Sequence, residues 1–174
     1  PQLQGDGRIP NRLPASDLSS ADAAGWLFFS AGELYQESAL TEAEERKVQQ
    51  ALVQSINRIR RHHISKDLVY NGKKETWMDT DYNDNGRFGA RIEIQALTLS
   101  MYSLAAVLTG EKKYRSCEKR LRQKTRRLFW DGKALKDGMD DETVRPNLFI
   151  AAYVYPQLLS KAEWSTCFEA ALKK

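Results

Sequence analysis

At 174 residues, with 41% apolar and 29% charged side chains, the chain has room for one core of ordinary size and little for a second. Its net charge of +4 is too small to call for a nucleic-acid partner, and no apolar run approaches the roughly eighteen residues of a membrane span. Cys117 and Cys167 stand far apart without a CxxC pairing, so they read as buried free thiols of a reducing compartment.

The opening "PQLQGDGRIPNRLPASDLSS" is rich in Pro, Gly and Asp and reads as an irregular lead-in; its start on Pro1 instead of Met reads as an excised piece. Ser19 or Ser20 then caps a helix to about Glu37, with Asp22 as the acidic partner three places after Ser19. A second helix follows Thr41, with Glu44 in the same capping relation and Val48, Leu52, Ile56 and Ile59 on one stripe. "KDLVYNGK" reads as a small hairpin arm. Helical spacing returns from Ile92 to Leu108, closed by Gly110, and again from Lys112 to Trp130. After the turn "WDGKALKDGMDDE", a helix starts near Arg145 with Pro146 in its first turn, and a last one covers Lys161 to Lys174. The fold class expected is all-α: antiparallel helical hairpins wound side by side, as a bundle or as part of an α/α toroid.

The chemistry concentrates in "ETWMDTDYNDNGRFGARIEIQAL", Glu75 to Leu97. Asp81, Asn83, Asn85 and Gly86 satisfy the start of a calcium loop, but the twelfth position is Ile92, and Glu93 comes one residue late. A slip of one helical residue turns a carboxylate by about 100°, so it would miss the ion, and no metal is expected. A solvated polar loop accounts for Asp81, Asn83, Asp84 and Asn85. It accounts poorly for "TWMD", where Trp77 and Met78 directly precede Asp79. A carboxyl beside an indole loses hydration, its pKa rises, and it stays protonated near neutrality as a general acid must. Glu93 opens the next helix, where the macrodipole favours an anion; projection puts it at the border of the apolar stripe, facing a cleft. Arg87, between the acids, is placed to hold one of them ionised.

Asp22, Trp26, Phe29 and Glu33 share one helix face. The plain reading makes Asp22 a cap and Trp26 core. A carboxylate beside an indole also suits a sugar, whose apolar face stacks on the ring while its hydroxyls meet acceptors.

The blocks "DGRIPNRLP", "SADAAGWLFFSAGELY", "TWMD", "GRFGARIEIQAL" and "VRPNLF", from Asp6 to Phe149, resemble in order and spacing the glycogen debranching enzymes. More narrowly, they are similar to the amylo-α-1,6-glucosidase domain of that family, an (α/α)6-barrel glycoside hydrolase of the six-hairpin kind. The resemblance implies inverting hydrolysis of α-1,6-linked glucose at trimmed branch points of an α-glucan, without a cofactor, in the cytoplasm. It implies that Asp79 is the general acid. Arg87 and Glu93 would help line the glucose subsite, with Asp22, Trp26, Trp77, Arg145 and Asn147 as further substrate-binding residues. Inversion needs a second carboxylate about 6.5–9.5 Å from the acid.

Two departures stand out. Asn85-Gly86 occupies the place where relatives commonly carry Thr-Pro, and the family's base comes from a later Gly-rich, Trp-containing segment not found before Lys174. Residues 1–174 are therefore expected to form about half of the toroid, one partial domain that holds the acid, needs the remainder of the catalytic domain as partner, and is inactive alone. Other readings are another exo-acting or trehalose-type (α/α)6 hydrolase, or a relative that binds glucan without cleaving it. A nucleic-acid module would use "RIRRHH" and "KRLRQKTRR", but Lys119, Arg122 and Arg126 project as an ordinary solvated face with no aromatic platform.

Overall fold

A computed structural model describes residues 3–11, 19–78 and 86–173. Among them are six α-helices: α1 (Ala23–Gln36), α2 (Glu42–His62), α3 (Ile92–Thr109), α4 (Lys112–Phe129), α5 (Asn147–Val154) and α6 (Lys161–Leu172). Two short antiparallel pairs and a 3-10 turn at Pro156–Leu158 complete the regular structure of the described residues. β1 (Ile9–Pro10) pairs with β2 (Ser19–Ser20), and β3 (Ile64–Ser65) pairs with β4 (Leu68–Val69). The chain is all-α in class, as expected.

The helix boundaries follow local chemistry. Thr41 and Glu44 form the expected capping box: Thr41 Oγ1 accepts from Glu44 N at 3.3 Å, and Glu44 Oε2 accepts from Thr41 N at 2.8 Å. Ser160 and Glu163 repeat the device at α6. Gly110 ends α3 in the left-handed region at φ 69°, where a side chain would be strained. α4 buries Tyr114, Cys117, Leu121, Thr125 and Phe129 along one stripe and turns its many cations outward. Both cysteines are buried and free.

α3 is apolar nearly all round because it is covered nearly all round. α1 and α5 flank it, while α2 and α4 also pack against it. It is 18 residues long with mean hydropathy 1.4, which meets the length and composition of a membrane span and departs from the expectation of no such run. Burial of Ile94, Leu97, Leu99, Met101 and Ala105 against its neighbours makes it the core helix instead. α6 closes on α5 and α4 through stacked Phe149 and Phe168, 5.2 Å between centroids, and through an Arg126–Glu163 ion pair at 2.7 Å.

Three boundaries differ from the sequence expectation. α1 starts at Ala23, and Asp22 sits at the N-cap position without capping, because Ser19–Ser20 is held extended against Ile9–Pro10. Ser20 Oγ instead accepts from Ala23 N at 3.2 Å and donates to Asp22 at 2.6 Å. The small hairpin turns at Lys66–Asp67, both at positive φ, upstream of the centre of "KDLVYNGK". α5 begins at Asn147, two residues after Arg145, and stops before Pro156.

Candidate functional site

The N-termini of α1, α3 and α5 meet at one end of the helical assembly, so these three helices run in the same direction. Asp22 precedes α1, Glu93 lies in the first turn of α3, and Asn147 is the first residue of α5. One continuous polar network joins them.

Its centre is a guanidinium between two carboxylates. Arg87 Nη1 and Nη2 donate to Glu93 Oε1 and Oε2 at 2.7 and 3.0 Å. On its other edge, Arg87 Nε and Nη2 donate to Asp137 Oδ2 and Oδ1 at 2.8 and 2.9 Å, and Nη1 also reaches Thr76 Oγ1 at 3.0 Å. Such forked pairs fix orientation as well as charge. Glu93, Arg87 and Asp137 are all buried.

Asp137 then distributes the connections. Its Oδ1 accepts from Asn147 Nδ2 at 2.6 Å; its Oδ2 accepts from Arg91 Nη1 at 3.2 Å and lies 3.1 Å from Arg145 Nε. Arg91 also donates to Asp141 at 2.9 Å, and Arg145 lies 3.6 Å from the same carboxylate. Asn147 passes the order on, since its Oδ1 accepts the Trp77 indole N–H at 2.8 Å. Trp77 is held a second time by its backbone N–H, which donates to Asp22 Oδ2 at 3.0 Å. The residue at the head of the acidic loop is thus anchored to α1 and to α5 at once.

The electrostatics follow from burial opposed by pairing. Burial alone would weaken Arg87 as a base, but its bonds to Glu93 and Asp137 outweigh this and raise its pKa. For Glu93 burial is the larger effect and raises the pKa, with the Arg87 fork pulling the other way. Both Glu93 oxygens accept from Arg87, so the geometry is that of an ion pair, not of a protonated acid free to donate. Burial would also raise Asp141, yet Thr143 and Arg91 bring it down to about 2.

Measured against the sequence expectation, the structure brings together Asp22, Trp77, Arg87, Glu93, Arg145 and Asn147. Glu93 is not at the rim of a cleft: it is fully buried and taken up by Arg87, because the loop carrying Asp137 covers the start of α3. Trp77 is half exposed, its indole turned to Asn147. Trp26 packs edge-on against Phe29 at 6.2 Å, one turn along α1 from Asp22, and its ring contact is with the aromatic side of the helix. Asp79, with Asp81 and Asp84, lies outside the described residues.

Asp137, Arg91 and Asp141 were missed from sequence. The segment that carries Asp137 and Asp141 reads as a polar turn, yet it is pinned by bridges of Gly138 to Arg91 and to Asp141. The available signal was a cluster of acids just ahead of "RPN" in a chain with several unassigned arginines. The two basic runs divide differently. Arg58 donates to Gln4 O at 2.9 Å and His63 contacts Asp6 at 2.8 Å, while Arg126 is paired with Glu163.

Beside the network lies an open cleft of about 410 Å³, bounded by Tyr70, Phe88, Arg91, Asp140 and Arg145. A second cleft of about 450 Å³, lined by Phe28, Leu104 and Tyr153, follows α1, α3 and α5 toward their C-terminal ends, away from the charges.

The scaffold and site define a class: an all-α protein that gathers the N-termini of parallel helices around a buried ionic cluster and anchors Trp77 beside it. The chain belongs to the amylo-α-1,6-glucosidase family, whose sequence model matches residues 2–174, nearly its whole length. This places it with the glycogen-debranching glycoside hydrolases, in agreement with the resemblance in "TWMD" and "GRFGARIEIQAL". A search of curated proteins finds no match.

Proposed function

We propose that the chain supplies the acid-bearing part of an inverting α-1,6-glucosidase that removes glucose from branch points of an α-glucan. Asp79 is the general acid that protonates the departing glycosidic oxygen. The base is a carboxylate outside residues 1–174, contributed by the remainder of the catalytic domain of a half-formed (α/α)6 toroid. Residues 1–174 alone do not hydrolyse the glucan.

The observation that carries this reading is the double anchorage of Trp77 by Asp22 and Asn147, two residues ahead of Asp79. General acid catalysis needs a proton donor held within hydrogen-bond reach of the leaving oxygen, so the loop must be fixed from both sides. The half-exposed indole leaves apolar surface for a pyranose while its N–H is occupied. Arg87 and Glu93 support the subsite from beneath, with Asp22, Arg145 and Asn147 around it and Trp26 one turn further along α1. The neutral α-glucan, not a nucleic acid, is the substrate.

The test is Asp79→Asn in the complete protein, assayed on an α-1,6-branched oligosaccharide. Loss of the proton donor lowers kcat by about 10²–10⁴-fold, with the circular dichroism spectrum unchanged. Near-full activity in that variant would remove Asp79 from the mechanism.

A further inference from the structure

The Asp137 carboxylate divides the site into two sides. Its Oδ1 faces Asn147 and, through it, Trp77; its Oδ2 faces Arg91 and Arg145, which line the 410 Å³ cleft. Trp77 does not line that cleft. The cleft is therefore distinct from the exposed face of Trp77 and linked to that residue by one buried carboxylate.

Its composition selects a ligand chemistry. Phe88 is 57% exposed and stands outside the hydrophobic core, leaving its ring as an apolar wall, with Tyr70 beside it. The rest of the lining is mostly polar. Asp140 is exposed and makes no ion pair among the described residues, Thr143 is exposed, and Arg145 Nε is buried without a hydrogen-bond acceptor in good geometry. The charges nearly cancel, with Arg87, Arg91 and Arg145 set against Glu93, Asp137, Asp140 and Asp141. An anionic ligand would find each of the three guanidiniums already paired with a carboxylate, and a purely apolar one would leave the polar groups desolvated. A neutral polyhydroxylated ring suits both kinds of lining, its C–H face to Phe88 and its hydroxyls to Asp140 and Arg145. The volume lies within the range of small-ligand sites, about 300–1,000 Å³.

We propose that this cleft is a glucosyl-binding subsite, with Phe88 as its stacking platform and Asp140 and Arg145 as its hydroxyl partners. It holds a unit of the glucan chain other than the glucose being released. This rests on the glycosidase reading for the identity of the sugar.

The experiment is calorimetric titration of the complete protein with a linear α-1,4-linked malto-oligosaccharide, for the parent, Phe88→Ala and Phe88→Trp, each checked for an unchanged melting temperature. Phe88→Ala weakens Kd about ten-fold or more, the loss of one buried aromatic anchor of about 1.4 kcal/mol, and Phe88→Trp restores it. Equal affinity in parent and Phe88→Ala, or an absence of binding in the parent, overturns the subsite. Hydrolysis of an α-1,6-branched oligosaccharide by the parent is scored separately. Phe88-dependent binding without hydrolysis keeps the cleft and removes the glycosidase, whereas hydrolysis with Phe88-independent affinity does the reverse.

Discussion

Asp137→Asn is the most informative single change outside the acid loop. The wild-type carboxylate is buried and accepts from Arg87 through both oxygens, from Arg91 at 3.2 Å and from Asn147 at 2.6 Å. Asparagine keeps the size and one acceptor, but it points an N–H₂ group at a guanidinium and leaves the cluster one positive charge in excess. Breaking a buried pair by removing one partner costs about 3–5 kcal/mol. The lower end applies, since Arg87 keeps Glu93 and Arg91 keeps Asp141. At about 2–4 °C per kcal/mol for a chain of this size, the melting temperature falls by about 6–12 °C. Thermal melting at neutral pH reads this directly, with exposed Asp140→Asn as the control of equal charge change, expected to stay within about 0.5 kcal/mol of the parent. A cycle with Asn147→Ala should be less than additive by at least about 0.5 kcal/mol, because the two variants lose the same hydrogen bond. A fall below about 2 °C, or full additivity, would refute Asp137 as the hub.

Gly25→Ala places a Cβ 2.6 Å from Leu97 Cβ, so α1 must move off α3, at a cost of about 1–3 kcal/mol in a denaturation experiment. Leu97→Ala cannot relieve it, since the clash is with Cβ, and rescue by that variant would show the helices to be less tightly set. Asp141, with a folded pKa of about 2 against an ordinary 3.8, contributes stability that is complete above the ordinary value and is lost as pH falls from about 4 to 2. Its partial exposure keeps the contribution to at most about 2 kcal/mol, so the melting curves of the parent and Asp141→Asn should converge at pH 2 and separate above pH 5. Simultaneous replacement of Arg87, Glu93 and Asp137 by Met, Leu and Leu should leave stability near the parent's while the Trp77 indole N–H loses order, read as exchange broadening of its nitrogen-edited NMR signal. A sharp, unshifted signal would show that the ion cluster does not position Trp77.

Much of the fold was legible because helix signals are local. Thr41 with Glu44 and Gly110 each act through the backbone within a turn, and each ended or began a helix where expected. α1 shows the limit: Ser20 Oγ does accept from Ala23 N, but Asp22, the expected acidic partner, is turned to Ser20 Oγ and to Trp77 N, fifty-five residues away. The site was half legible for the same reason. Arg87 and Glu93 are six residues apart and could be paired from sequence, while Asp137 lies fifty residues from Arg87 in a segment without periodicity. Only the parallel packing of α1, α3 and α5 brings it under their N-termini, and that packing is set by the apolar stripes of Leu97, Ala105 and Leu148 rather than by any charged residue.

Buried ion clusters are a poor source of stability, since apolar side chains of similar volume commonly serve as well. The cluster here therefore has to be understood by what it holds. Apolar packing fixes side chains to within a rotamer but does not specify which way an amide points; Asp137 does so for Asn147, whose Nδ2 must face the carboxylate and whose Oδ1 must then face Trp77. With Asp22 taking the Trp77 backbone N–H, both the position and the rotation of that residue follow from side chains at the start of α1, at the start of α5 and on the loop between α4 and α5. A loop that presents a proton donor at a glycosidic bond gains from such a fix, because an error of about 1 Å at the reacting atoms costs on the order of 10²-fold in rate. Desolvating Arg87, Glu93 and Asp137 together is thus the structural condition for a precisely held Trp77, and the fold meets it by closing the loop that carries Asp137 over the start of its core helix.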